Sequence, residues 1–174
     1  MNNAASSASA ASAALASLLE HSGTTQQVLH PGDVACGTRG DLLETLLGSC
    51  VAVVLTDPRR TVGVMCHIVH TGERRNDAAR DGSFGDTAFE LMYDMLRERG
   101  IEPRLCEAYV YGGGNMFPGL FAGGHIGLSN ARWTLNALMQ GGIRVLHQEL
   151  GGNSYRQLSW VVGAQPPSVV AVAV

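Results

Sequence analysis

Apolar and polar positions along the chain fall into segments of two different periods. Val51 to Leu55 is an uninterrupted, β-branched apolar run, the pattern of a buried strand. Val62 to Val69 is a second such run, and Asp57, Pro58, Arg59 and Arg60 between them suit a type I turn, with Pro where its fixed φ is favoured. Together they predict a β-hairpin. Counting back from Asp57 opposite Arg60 places Cys50 opposite His67 at the open end of the hairpin. Directly opposed Cβ atoms lie roughly 4.5 to 5.5 Å apart.

Upstream, Pro31, Gly32 and Asp33 mark a turn before a short strand at Val34 to Cys36, followed by a polar stretch from Gly37 to Asp41. Residues 71–83 read as an exposed, Arg-rich loop. Ala88, Leu91, Met92, Met95 and Leu96 recur at helical spacing, so Asp86 to Arg99 is predicted helical, with Gly100 as its stop. Leu105 to Tyr111 is a predicted strand ending in Gly112, Gly113 and Gly114. Ser129 to Gln140 is a second predicted helix, with Ser129 or Asn130 near its cap and Ala131, Leu135 and Leu138 inward. Ile143 to Glu149, Leu158 to Val162 and the tail SVVAVAV complete six or seven strands. Two main helices among these strands, two of them joined by a tight turn, predict a layered α+β domain, a mixed sheet or sandwich and not a doubly wound one.

Length and composition narrow the picture. A chain of 174 residues holds one domain of ordinary size, and an apolar content of 45% is globular. The first 25 residues are the exception: Ala/Ser-rich and of low complexity, they read as a disordered or weakly helical extension of a domain spanning 26–174. They carry neither the cationic start and apolar core of a secretory signal nor the Arg of a transit peptide, so a cytoplasmic protein with reduced cysteines is expected. A net charge of -3 argues against a sequence-independent nucleic-acid binder. No apolar run reaches the length of a membrane span, so no membrane insertion is expected. All 12 basic residues are Arg, which excludes a lysine nucleophile or Schiff base.

Four cysteines remain: Cys36, Cys50, Cys66 and Cys106. A thiol beside an imidazole can form a thiolate and imidazolium pair, and the thiolate is the species that attacks carbonyl carbon. Gly48 and Ser49 before Cys50 are small enough to let a substrate approach the backbone, and the Cys50 N–H is a candidate oxyanion donor. Taken alone, a strand Cys and a strand His read equally as core residues. Metal binding is disfavoured because no C-x-x-C pair exists and the neighbours Cys66 and His67 point to opposite strand faces. Cys36, Cys66 and Cys106 read as packing residues, and His70 and His125 as ordinary surface or loop residues. The glycines at 112–114 lack the Lys of a phosphate loop. They read as a sharp turn whose backbone at Gly113 and Gly114 approaches the cleft, with Asn115 turned toward it, or equally as a turn that the chain path requires.

LLGSCVAVVLTDPRRTVGVMCHIV resembles the catalytic segment of the CheD family, chemoreceptor glutamine deamidases of bacterial chemotaxis. GDTAFELMYDML, YVYGGGNMF, HIGLSNARWTLNAL and QELGGNSYR are similar, in order, to later segments of that family, so the likeness runs from about Val28 to Trp160. The resemblance implies a Cys-dependent protein-glutamine glutaminase with a fold similar to the catalytic domain of cytotoxic necrotising factor toxins. By position it implies Cys50 as nucleophile, His67 as general base, and Thr45, the only Thr shortly before the Cys, as the residue orienting the His. It implies receptor glutamines as substrates, no cofactor, and for some members a CheC-type phosphatase as partner. A catalytically silent module that binds receptor or CheC is the competing reading.

Overall fold

The computed structural model describes residues 23–71, 81–120 and 124–173. The expected extension lies outside the described residues as far as 22, as does 72–80 of the expected Arg-rich loop. Among the described residues nine strands form two sheets, and two α-helices cover one of them. The strands are β1 (Gln26–Leu29), β2 (Val34–Thr38), β3 (Leu42–Leu47), β4 (Val51–Thr56), β5 (Val62–Ile68), β6 (Glu107–Gly112), β7 (Arg144–Leu150), β8 (Ser154–Val161) and β9 (Ser168–Ala173). The helices are α1 (Gly85–Arg97) and α2 (Ile126–Gln140). One sheet runs β1-β3-β8-β9 and the other β2-β5-β4-β6-β7. The layered α+β class read from the sequence is the class observed.

β4 is central to the five-stranded sheet, and every one of its residues is buried. Alternation along it and β5 explains why. Val51, Val53, Leu55, Val64, Cys66 and Ile68 pack toward Ala88, Met92 and Leu96 of α1, whereas Ala52, Val54 and Met65 face Leu43, Leu47, Leu158 and Trp160 of the other sheet. A strand buried on both faces has no polar alternation to show, which is the pattern the sequence carries. Cys66 belongs to the helix-side core and His67 is turned to the sheet-to-sheet side, so the two neighbours do point apart.

The hairpin register differs from the sequence expectation by two residues. Arg60 N–H does donate to the Asp57 carbonyl, as the turn predicts, at 2.9 Å. The Asp57 carboxylate then accepts from the N–H groups of Thr61 and Val62, at 2.7 and 2.9 Å, and the ladder closes only at Thr56 opposite Gly63. His67 is therefore opposite Ala52, and Cys50 lies beyond the strand, diagonal to it. A shift of two preserves the face, where a shift of one would have reversed it. Cys50 accordingly packs on the same sheet-to-sheet cluster toward which His67 is turned.

β1 and β3 were not foreseen as strands. β1 is only four residues, half of them Gln, and Glu44 and Thr45 break the apolar pattern of β3. Glu44 is nonetheless buried and accepts from Gln26 Nε2 at 2.6 Å. Gly63 fixes how closely the sheets approach: a Cβ there would lie 2.1 Å from Trp160 Cζ3. Gly63→Ala is expected to destabilise the protein by about 1–3 kcal/mol, measured by urea unfolding, because the Trp160 ring has to be displaced from a filled core.

Candidate active site

β3 and β5 belong to different sheets, and Thr45 and His67 meet in the layer between them. Thr45 Oγ1 lies 2.8 Å from His67 Nδ1 and 2.8 Å from the Leu29 carbonyl oxygen. A hydroxyl has one proton and a carbonyl can only accept, so Thr45 donates to Leu29 and accepts from His67. The imidazole is thereby assigned the Nδ1–H tautomer. Its other nitrogen, Nε2, carries the lone pair and is buried with no hydrogen-bond partner among the described residues. An orphaned buried acceptor is costly to keep, and such groups concentrate where a proton is to be taken up. Burial drives the His67 pKa from 6.5 to about 4, with the Leu29 carbonyl and the Asp33 carboxylate opposing the fall and His30 adding to it. Burial likewise pushes the Cys50 thiol upward, its own backbone N–H opposing. Thiol and imidazole are both neutral at rest.

The loop 48–50 that carries Cys50 is held by backbone from glycine-rich turns. Gly113 N–H donates to the Cys50 carbonyl at 2.8 Å, and Gly114 N–H to the Gly48 carbonyl at 2.9 Å. Gly112, at φ 111°, could not carry a side chain, because its Cβ would stand 2.2 Å from the Cys50 carbonyl oxygen. The β7–β8 turn joins from the other side: Gly151 N–H donates to the Gly112 carbonyl, and Asn115 N–H to that of Gly152. Arg156 braces this turn through Glu149 Oε1 at 2.9 Å and the Gly151 carbonyl at 2.8 Å.

Gly48, Ser49, Cys50, Gly114 and Asn115 line a cleft of about 520 Å³, bounded by the exposed side chains of Phe117, Ile126 and Tyr155. Gly113 lies behind it and serves the scaffold. Asn115 Oδ1 accepts from Phe117 N–H at 3.1 Å, which leaves its NH2 group as a donor. The described lining residues include no Asp, Glu, Lys or Arg. His125, expected to be an ordinary loop residue, also lines the cleft, and its Nδ1 caps α2 by accepting from Leu128 N–H. The cap expected at Ser129 or Asn130 is corrected accordingly. Asn130 lies within the helix, 1% exposed, and its amide donates to the carbonyls of Ser49 and Val69. The signal for this was present: Gly127, Asn130, Ala131, Thr134 and Leu138 are the buried, helically spaced positions of α2, and one of them is an amide. Cys66 and Cys106 are buried and Cys36 half-buried, and burial pushes the first two to about 12 and about 11, far from nucleophilic at neutral pH.

The pattern of the CheD family, described as CheD chemotactic sensory transduction, matches residues 69–164. The "Probable chemoreceptor glutamine deamidase CheD" of Pseudomonas fluorescens (strain SBW25) is 34% identical over 139 residues, 78% of either chain. The chain belongs to the CheD family. Other relatives carry the same activity in their names: one in Dechloromonas aromatica (strain RCB) is 35% identical over 136 residues, covering 77% of this chain and 80% of that one. One in Methanococcus vannielii is 33% identical over 125 residues, covering 72% and 81%. In this CheD-family chain, no helix among the described residues is long and apolar enough to cross a membrane. Nor does any group of three or more His, Cys, Asp or Glu among them stand ready for a metal ion.

The depressed His67 pKa makes stability depend on pH. Above about 6.5 the imidazole is neutral in the folded and unfolded chains alike, and no penalty arises. As pH falls from 6.5 toward about 4, the unfolded chain takes up the proton first, so folding loses about 3 kcal/mol in that window. His67→Gln, which does not titrate there, is expected to lack this component in urea unfolding measured across the same range.

Proposed function

We propose that the protein hydrolyses the side-chain amide of selected glutamines on chemotaxis receptors, giving glutamate and ammonia, with Cys50 as nucleophile, His67 as base and Thr45 as the residue that orients the imidazole. The observation that carries this reading is the unpartnered Nε2 of His67, produced by the Thr45 relay on the sheet face where Cys50 packs. As the sulfur attacks the amide carbon, the thiol proton passes to Nε2, so no ion pair need exist beforehand in a site that disfavours both charges. The tetrahedral oxyanion collapses to a thioester while Nε2–H protonates the departing amine as ammonia. Water then attacks the thioester, Nε2 takes its proton, and the second collapse releases the carboxylate and returns the proton to sulfur. The two-residue diagonal between Cys50 and His67 is bridged by a step of the Cys50 side chain between staggered rotamers as substrate binds, since catalytic hydrogen bonds often tighten only in the complex.

The cleft supports a glutamine substrate. Its described walls contain no Asp, Glu, Lys or Arg, which suits a neutral amide and disfavours retention of the carboxylate product. Gly48 and Gly114 let the Met116 side chain pack close against the backbone of the cleft, and the NH2 of Asn115 is available to the amide oxygen. Phe117, Ile126 and Tyr155 around the mouth offer apolar contact to the receptor helix that bears the glutamine, and the same rim would serve a CheC-type phosphatase.

Mass spectrometry of receptor cytoplasmic fragments tests the reading. Wild type is expected to add about one mass unit at specific glutamines, and Cys50→Ala none. His67→Gln should slow the reaction roughly 10²–10⁴-fold. Thr45→Val should slow it roughly ten- to a hundredfold by leaving Nδ1–H and the Leu29 carbonyl unpaired, with Thr45→Ser recovering most of the rate. Receptor binding with no mass change by any form would instead establish a silent binding module.

A further inference from the structure

We propose that Asn130 is a positioning residue that aims the Cys50 N–H into the cleft as the oxyanion donor; this rests on the hydrolase reading above. Asn130 occupies the buried face of α2, and its Nδ2 donates to the Ser49 carbonyl at 3.2 Å and to the Val69 carbonyl at 3.0 Å. An amide nitrogen has two protons, and both are used here. Ser49 C=O and Cys50 N–H belong to one peptide unit, and no peptide bond among the described residues is cis, so the two groups point in opposite directions. Drawing the Ser49 oxygen toward α2 therefore turns the Cys50 N–H away from the helix. The next peptide is fixed as well, because the Cys50 carbonyl accepts from Gly113 N–H at 2.8 Å.

Two observations agree with this orientation. Among the described residues the Cys50 N–H has no backbone acceptor. Asn130 itself is absent from the cleft lining, whereas Ser49 and Cys50 form part of it. The second bond, to Val69, ties the same amide to the chain just after β5, the strand that carries His67. One side chain thus links helix, nucleophile loop and base-bearing strand. A donor held in place before reaction needs no reorganisation when negative charge develops, the condition under which such groups contribute most.

The test separates this role from a merely structural one by comparing two reactions of the same sulfur. Deamidation passes through an oxyanion; alkylation by iodoacetamide does not. Asn130→Ala, which leaves the two carbonyls to water, is expected to lower kcat on receptor fragments about 100-fold with KM within about twofold, and to alkylate Cys50 at a rate within about twofold of wild type. The Cys50 amide resonance should shift without substrate present, while the His67 ring resonances stay in place. Equal slowing of both reactions would show general disruption of the site and overturn the proposal, as would an unchanged kcat. If Asn130→Ala does not fold, Asn130→Ser, which retains one donor of shorter reach, is read by the same criteria. If wild type fails to deamidate, the hydrolase reading fails separately, and the amide resonance still decides whether Asn130 sets the peptide orientation.

Discussion

A single hydroxyl proton constrains the chemistry of the site. Thr45 has one to give, and the Leu29 carbonyl, 2.8 Å away, can only accept it. The oxygen must then act as acceptor toward His67 Nδ1, which fixes the tautomer and leaves Nε2 as the basic nitrogen. This accounting requires β3 and β5, strands of separate sheets, to face each other at hydrogen-bond distance. The packing that brings them there is apolar: Leu43, Leu47, Met65, Leu158 and Trp160 fill the layer around the polar pair, and Gly63 lets the Trp160 ring close on β5. The hydrophobic sandwich thus sets the distance, and the hydrogen bonds set the direction.

The thiol side is built differently. Cys50 stands just beyond the end of β4, and its loop is held by backbone groups from the 112–114 turn and by the amide of Asn130. Glycine is required where backbone approaches backbone. A side chain at Gly112 or Gly127 would collide with carbonyl oxygens, at 2.2 Å in the first case and 2.4 Å in the second. The 48–50 loop is therefore shaped by main chain, which leaves the side chains around the mouth free to differ in what they contact.

Much of this was legible in the sequence, and the misses have physical reasons. Both helices and the β4–β5 hairpin announce themselves, because burial of a whole strand or of one helix stripe imposes a period. The register did not, because the Asp57 carboxylate captures two further N–H groups and lengthens the loop without changing its composition. Cys50 and His67 are not directly opposed, and only their facing toward the same layer remains, since a displacement of two keeps parity. β1 and β3 were hidden by Gln26, Gln27, Glu44 and Thr45, polar residues whose partners lie elsewhere in the chain. Thr45 was suggested by family likeness, yet the proton accounting that gives it meaning depends on Leu29, sixteen residues away. Asn130 was mistaken for a cap because Asn favours helix ends; its place on the buried stripe was the stronger signal.

The central claim is the tautomer of His67, and nitrogen-15 NMR of the imidazole at neutral pH in the resting protein tests it most directly. The account predicts a protonated Nδ1 of pyrrole type and an unprotonated Nε2 of pyridine type, with Thr45→Val disturbing that assignment. A resting His67 carrying its proton on Nε2 would mean that the nitrogen proposed as base is already occupied, and would contradict the account.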